Sequence, residues 1–125
     1  LSLCAAAHNT KPMILLLDGN ARTQSKQAGG DLIRLSSDQK PVSPRGQRML
    51  SAWKRSKLVI LNGTHLEDVL PGRSTSIKEL GVAEAVVDYA VVSESLVPMI
   101  RSLSVATPSP PKEAWSDHVS LTLRI

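Results

Sequence analysis

The stretch "AVVDYAVVS", Ala85 to Ser93, decides how this chain folds. It is β-branched and apolar except for Asp88, and it reads as the strongest strand in the sequence. Its single carboxylate is the informative residue. A buried Asp88 without a partner would be costly, so it requires a hydrogen-bonding or ionic mate. The last strand offers one. In "EAWSDHVSLTLRI", Glu113 to Ile125, the residues Val119, Leu121, Leu123 and Ile125 alternate with Ser120, Thr122 and Arg124, the period-2 pattern of a half-buried strand. Asp117 and His118 stand at its mouth, and His118 is the natural partner for Asp88. An acid on one imidazole nitrogen fixes the tautomer and raises the basicity of the ring, the orienting device of many hydrolytic sites.

The remaining elements follow outward from this strand. Met13 to Leu17 is continuously apolar between Pro12 and Asp18, which predicts a central, fully buried strand. "DGNARTQSKQAGGD" is a polar, glycine-bearing loop, and "RLSSDQKPVS" continues it over residues 34–43. Pro44 suits the first turn of a helix with Ser43 as its cap. From Pro44 to Lys57, Met49, Leu50 and Trp53 recur at helical spacing, with Arg45, Arg48, Lys54 and Arg55 on other faces. A short buried strand over Leu58 to Leu61 ends at the turn signal Asn62-Gly63, and residues 64–72 form a loop. "RSTSI" is a short strand, residues 94–100 a short helix and Leu103 to Ala106 another strand; the proline-bearing "TPSPPKEAW" is a surface loop. This order predicts an α+β fold: a mixed, mostly antiparallel sheet with one main helix.

Composition narrows the class. At 125 residues the chain holds one domain or part of one, and no apolar run is long enough to span a bilayer. With no Phe, one Tyr and two Trp, its core must be aliphatic. A net charge of +4 favours polyanionic partners. The single cysteine, Cys4, excludes an internal disulfide framework and a cysteine-based zinc site, and it suits a reducing compartment. The opening "LSLCAAA" is similar to part of a signal peptide's apolar stretch but lacks a basic flank, so the chain reads as a fragment of something longer.

Polar residues collect at strand ends. Asp18 and Asn20 follow the first strand, and Asp117 and His118 precede the last. Asp18 and Asp117 would supply hard oxygen ligands, which suit magnesium better than zinc, and Asn20 could orient a water or a phosphate oxygen. His8 and His65 have no neighbours at metal-ligand spacing and read as solvent-exposed.

Taken together, "LLLDGNART", "SPRGQRMLSAWKRSKLVILNGT", "PGRSTSI", "VVDYAVVS" and "WSDHVSLTL" resemble, in that order, the C-terminal half of the endonuclease/exonuclease/phosphatase superfamily, with the endonuclease domains of LINE-type retrotransposons nearest. The resemblance covers residues 11–125 and makes residues 1–10 an irregular remnant of a preceding half. It implies about half of a four-layer α/β sandwich and a phosphodiesterase that nicks DNA with Mg2+ or Mn2+. It further implies a catalytic set of Asp18, Asn20, Asp88 and His118, with Asp117 on the metal and Thr75 and Asn20 on the substrate phosphate. Arg45-Gly46 matches an Arg-Gly pair at a helix start whose role is structural. The implied partners are DNA, the N-terminal half of the same domain and a reverse transcriptase domain of a parent polyprotein. The implied location is nuclear or cytoplasmic, with no membrane.

Two departures from the family pattern carry expectations of their own. Leu17 replaces a glycine and Gly19 a bulky residue, and Gly19 should loosen the loop bearing Asn20. The asparagine and metal-binding glutamate of the N-terminal half have no counterpart before Met13. The metal site is therefore expected to be incomplete, the isolated chain inactive and the inner sheet face exposed. Three functions stay open: part of a working nuclease, a decayed remnant, or a non-catalytic basic α/β module that binds nucleic acid or protein.

Overall fold

A computed structural model of the chain describes residues 11–78, 82–106 and 118–125. The fold is α+β, with antiparallel sheets and one main helix. A three-stranded sheet, ordered β1 (Ile14–Asp18), β5 (Asp88–Ser93), β2 (Leu58–Ile60), is antiparallel throughout. β3 (Ser76–Lys78) pairs with β4 (Val82–Ala85), and β6 (Ser102–Val105) with β7 (Leu121–Arg124). Helix α1 (Pro44–Arg55) precedes β2, and a 3-10 helix (Glu94–Met99) follows β5. Among the described residues no helix is long and apolar enough to cross a membrane.

The sheet is covered differently on its two faces. Tyr89 and Val91 of β5 join Trp53, Met49 and Leu50 of α1 in one apolar cluster, while Ala90 and Val92 join Leu103 and Val105 of β6 in a second. This alternation puts the helix on one face and the β6–β7 pair on the other. Burial of a side chain the size of Trp53 or Leu103, both fully buried, contributes about 1.5–3 kcal/mol. Helix α1 begins where its sequence marks it. Ser43 accepts a hydrogen bond from Gly46 N–H at 3.1 Å, and Pro44 occupies the first turn, where no N–H is needed. A side chain at Gly46 would bring Cβ to 2.0 Å from Arg22 O, so the Arg45-Gly46 pair is where the helix meets the loop after β1.

Two expected strands differ. Among the described residues β1 is an edge strand, not a central buried one: it pairs there with β5 alone, and Ile14 and Leu16 are 40% and 53% exposed. An apolar run offers hydrophobic side chains to both faces, and its pattern alone does not reveal that one face lacks cover. The stretch Ala85–Ser93 is two strands, not one. Between β4 and β5 the backbone turns to side chains: Val86 N–H donates to Asp38 Oδ2 at 3.1 Å, and Val87 and Asp88 N–H both donate to Thr75 Oγ1, at 2.9 and 3.0 Å. These three donors leave the ladder, and a break follows.

Candidate functional site

The site forms where this break meets the mouth of the last strand. Thr75 fastens the two together. Its hydroxyl holds the amides of Val87 and Asp88, while its carbonyl accepts from Val119 N–H at 2.9 Å and its own N–H donates to Ala85 O at 2.8 Å. An isolated antiparallel bridge pairs Ser76 with His118. One buried residue thus sets Asp88 and His118 at fixed separation. Thr75 itself is fully buried, so it supports the site from beneath and does not face the cleft.

Asp88 stands at the start of β5 on the same face as Ala90 and Val92, and its side chain is 11% exposed. Its Oδ2 lies 2.7 Å from His118 Nδ1. A carboxylate only accepts, so the proton between them sits on Nδ1 and leaves Nε2 as an acceptor. Nε2 lies 3.9 Å from Asp18 Oδ2. That separation exceeds a direct hydrogen bond, but a water roughly 2.8 Å from each atom would bridge them by donating to both. Asp18 and Asp88 are directly opposite in the β1–β5 register. Like charges so placed repel, and the imidazole standing over both is what the pair requires. Ligand atoms of Asp18, Asp88 and His118 all lie within 4.8 Å of one another.

The loop after β1 is pinned, contrary to the loosening expected of Gly19. Gly19 N–H donates to Val87 O at 2.8 Å, and Gly19 O accepts from Arg45 Nε at 2.8 Å. A Cβ at this position would lie 2.6 Å from Met49 Cε and 3.2 Å from the Tyr89 ring, so glycine lets the loop close onto the helix. Asn20 then adopts a left-handed φ of 46°, and its N–H donates to Asp18 Oδ1 at 2.9 Å. This turn fixes the Asp18 carboxylate and exposes the Asn20 side chain. Asn20, Arg22, Ser43, Ser76 and His118 line a shallow cleft of about 320 Å³.

Of the expected site residues, the structure brings together Asp18, Asn20, Asp88 and His118, with Thr75 behind them. Asp117 lies outside the described residues, as do Cys4, His8 and all of "TPSPPKEAW"; His65 is exposed. Three contributors carried no sequence signal of this role. Arg22 enters the cleft wall while its Nε pairs with buried Asp38 at 3.0 Å. Asp38 in turn holds Val86 N–H, so one acid orders both the cleft arginine and the strand break. Buried Asn62 donates to Asp88 O at 3.0 Å and accepts from Ala90 N–H at 2.9 Å, pairing with β5 as a strand would and anchoring the Asp88 end. In sequence its neighbour Gly63 marks only a turn.

The described residues fit a hard divalent cation in part. Magnesium is commonly held by one or two carboxylates plus waters and substrate phosphate. Asp18 is the open carboxylate here, since Asp88 Oδ2 is occupied by His118.

Fold and site together define an α+β chain with a histidine–dicarboxylate centre at one end of an antiparallel sheet. No protein-family model matches the chain, and no curated protein or solved structure matches it.

Proposed function

We propose that this chain supplies the histidine-bearing half of a divalent-metal-dependent phosphodiesterase that nicks DNA, in line with its resemblance to the C-terminal half of the endonuclease/exonuclease/phosphatase superfamily. The observation that carries the reading is the His118 imidazole, held through Nδ1 by Asp88 at 2.7 Å and facing Asp18 at 3.9 Å through Nε2, in an open cleft. Nε2 takes the proton of a water whose oxygen bonds to phosphorus as the bond to the leaving sugar oxygen breaks; that oxygen takes up a proton from solvent, and Asp88 stabilises the resulting imidazolium. Asn20 and Arg22 offer an amide and a guanidinium to the phosphate oxygens. Mg2+ or Mn2+ at Asp18, joined by Asp117 as the resemblance implies, would neutralise charge developing on the phosphate. A nuclear or cytoplasmic setting belongs to this reading, as does a retrotransposon origin.

The test is nicking of supercoiled plasmid in Mg2+ or Mn2+ by a protein that also carries the asparagine and glutamate the resemblance places ahead of residue 11. We expect His118→Ala and Asp18→Asn each to reduce nicking by at least about 100-fold, the lower end of what general acid–base groups contribute. Activity unchanged in both variants would end the proposal.

A further inference from the structure

The positive charge of this chain is not spread over its surface. The segment from Gln39 to Leu66 holds six of the fifteen Lys and Arg residues and none of the eleven Asp and Glu residues, which leaves nine cations against eleven acids elsewhere. The excess is therefore concentrated on and around α1. Arg45, Arg48, Lys54 and Arg55 are exposed there, while Met49, Leu50 and Trp53 are buried against the sheet. Among the described residues, no carboxylate forms an ion pair with any of these four cations. Arg45, Arg48 and Arg55 line one open groove of about 550 Å³, with Gln47, Ser51 and the largely buried Met49 and Ala52 between them. At 1.5 Å per residue the arginines span about 15 Å along the helix.

Helix stability does not account for this arrangement. The first turn has no acid, and Arg45 stands at the positive end of the helix dipole, where a cation is unfavourable. Arg45 and Arg48 are a like-charge pair three residues apart, which is also unfavourable. A polyanion would offset both costs. The face is not built for a lipid surface, because the large apolar side chains of α1 point inward and none is left to enter acyl chains. It is continuous with the cleft: Arg45 Nε is bound to Gly19 O beside Asp18, and Ser43, the helix cap, lines the cleft with His118.

We propose that the arginine face of α1 is a docking surface for the phosphate backbone of double-stranded DNA, reading charge and not sequence. Binding of this kind needs no hydrolysis, and it would operate in a non-catalytic protein as well as in a nuclease.

The test is fluorescence anisotropy of a labelled duplex of roughly 20 base pairs with EDTA present, between about 50 and 200 mM salt. Three proteins are compared: the full chain, Arg48→Gln/Arg55→Gln and Arg48→Lys/Arg55→Lys. Arg48 and Arg55 are exposed and make no described hydrogen bond or ion pair, so the fold tolerates their replacement, which circular dichroism checks. The glutamine variant should weaken binding by at least about tenfold and lower the slope of log K against log salt by about 2, one unit per lost phosphate contact. The lysine variant should keep the slope. Equal affinity and slope for parent and glutamine variant would overturn the proposal. So would absence of duplex binding alongside α1-dependent binding to phosphatidylserine vesicles. Failure of the nicking assay leaves this prediction in place, and failure here leaves the cleft chemistry in place.

Discussion

Asp88 and Tyr89 are neighbours on β5, yet they serve two polar clusters on opposite faces of the sheet that differ in every physical respect. Tyr89 points to the helix side and is fully buried. Its hydroxyl lies 2.7 Å from Ala21 O and 3.0 Å from Val86 O, and it accepts from Thr23 Oγ1 at 3.1 Å. The same threonine oxygen accepts from Arg34 Nη1 at 3.0 Å, while Arg34 Nε donates to Asn62 O at 2.7 Å and Nη1 also reaches Lys26 O. Arg34 is 3% exposed, and burial pulls its guanidinium down to about 10. This cluster is closed and satisfied, and it ties the loop after β1 to the core. The Asp88 cluster is open: its histidine side chain is 39% exposed and its second carboxylate 56%. Two acids face each other there, Asp88 buried beneath the imidazole and Asp18 open to solvent, an arrangement that stability alone would not select. The closed cluster holds the fold; the open one is available for chemistry.

If that division is right, variants on the closed side cost stability and variants on the open side cost activity. Arg34→Met should have the largest effect. It leaves two backbone carbonyls and Thr23 without a buried donor, a loss of about 3 kcal/mol by chemical denaturation. Next comes Thr75→Val, which keeps the shape but strands the Val87 and Asp88 amides. It should cost about 2 kcal/mol and should also reduce nicking, since Thr75 sets the separation of Asp88 and His118.

Tyr89→Phe should cost about 1 kcal/mol at neutral pH, and this difference is pH-dependent. Burial first, opposed by the Thr23 hydrogen bond and the Arg34 charge, holds the phenol above its ordinary value of 10.0. A group raised in the fold contributes stability that is complete below its unfolded value and lost as pH rises through the folded one. The wild-type advantage over Tyr89→Phe should therefore shrink above about pH 10, measured as the gap between two denaturation curves. Tyr89 is the only tyrosine, so its phenolate absorbance should appear at higher pH in the folded protein than in the unfolded chain.

The smallest expected effect has the opposite sign. Asp18→Asn removes one of two opposed carboxylates and should stabilise the fold by a few tenths of a kcal/mol while impairing nicking. A destabilised, fully active Asp18→Asn would erase the distinction between the two clusters.

The sequence exposed the open cluster better than the closed one. A lone acid in an apolar strand demands a partner, and His118 follows from that demand without knowledge of the fold. Ser43 followed by Pro44 marks a helix start in the same local way. Arg34 gave no comparable sign, because an arginine in a polar loop reads as solvent-exposed until packing seals it. Asn62 beside Gly63 reads as a turn, although its amide completes the pairing of β5. The break inside Ala85–Ser93 depends on Asp38 and Thr75, which lie 48 and 13 residues upstream of the amides they hold. Periodicity within one segment contains no information about such partners.

Asp88 orients His118 so that Nδ1 carries the proton and Nε2 is the acceptor nitrogen. Nitrogen-15 NMR of the imidazole tests it directly, in the parent and in Asp88→Asn at a pH where the ring is neutral. The Nδ1–H tautomer is expected in the parent, with a shift toward Nε2–H in the variant. An Nε2–H imidazole in the parent, unchanged by Asp88→Asn, would contradict it.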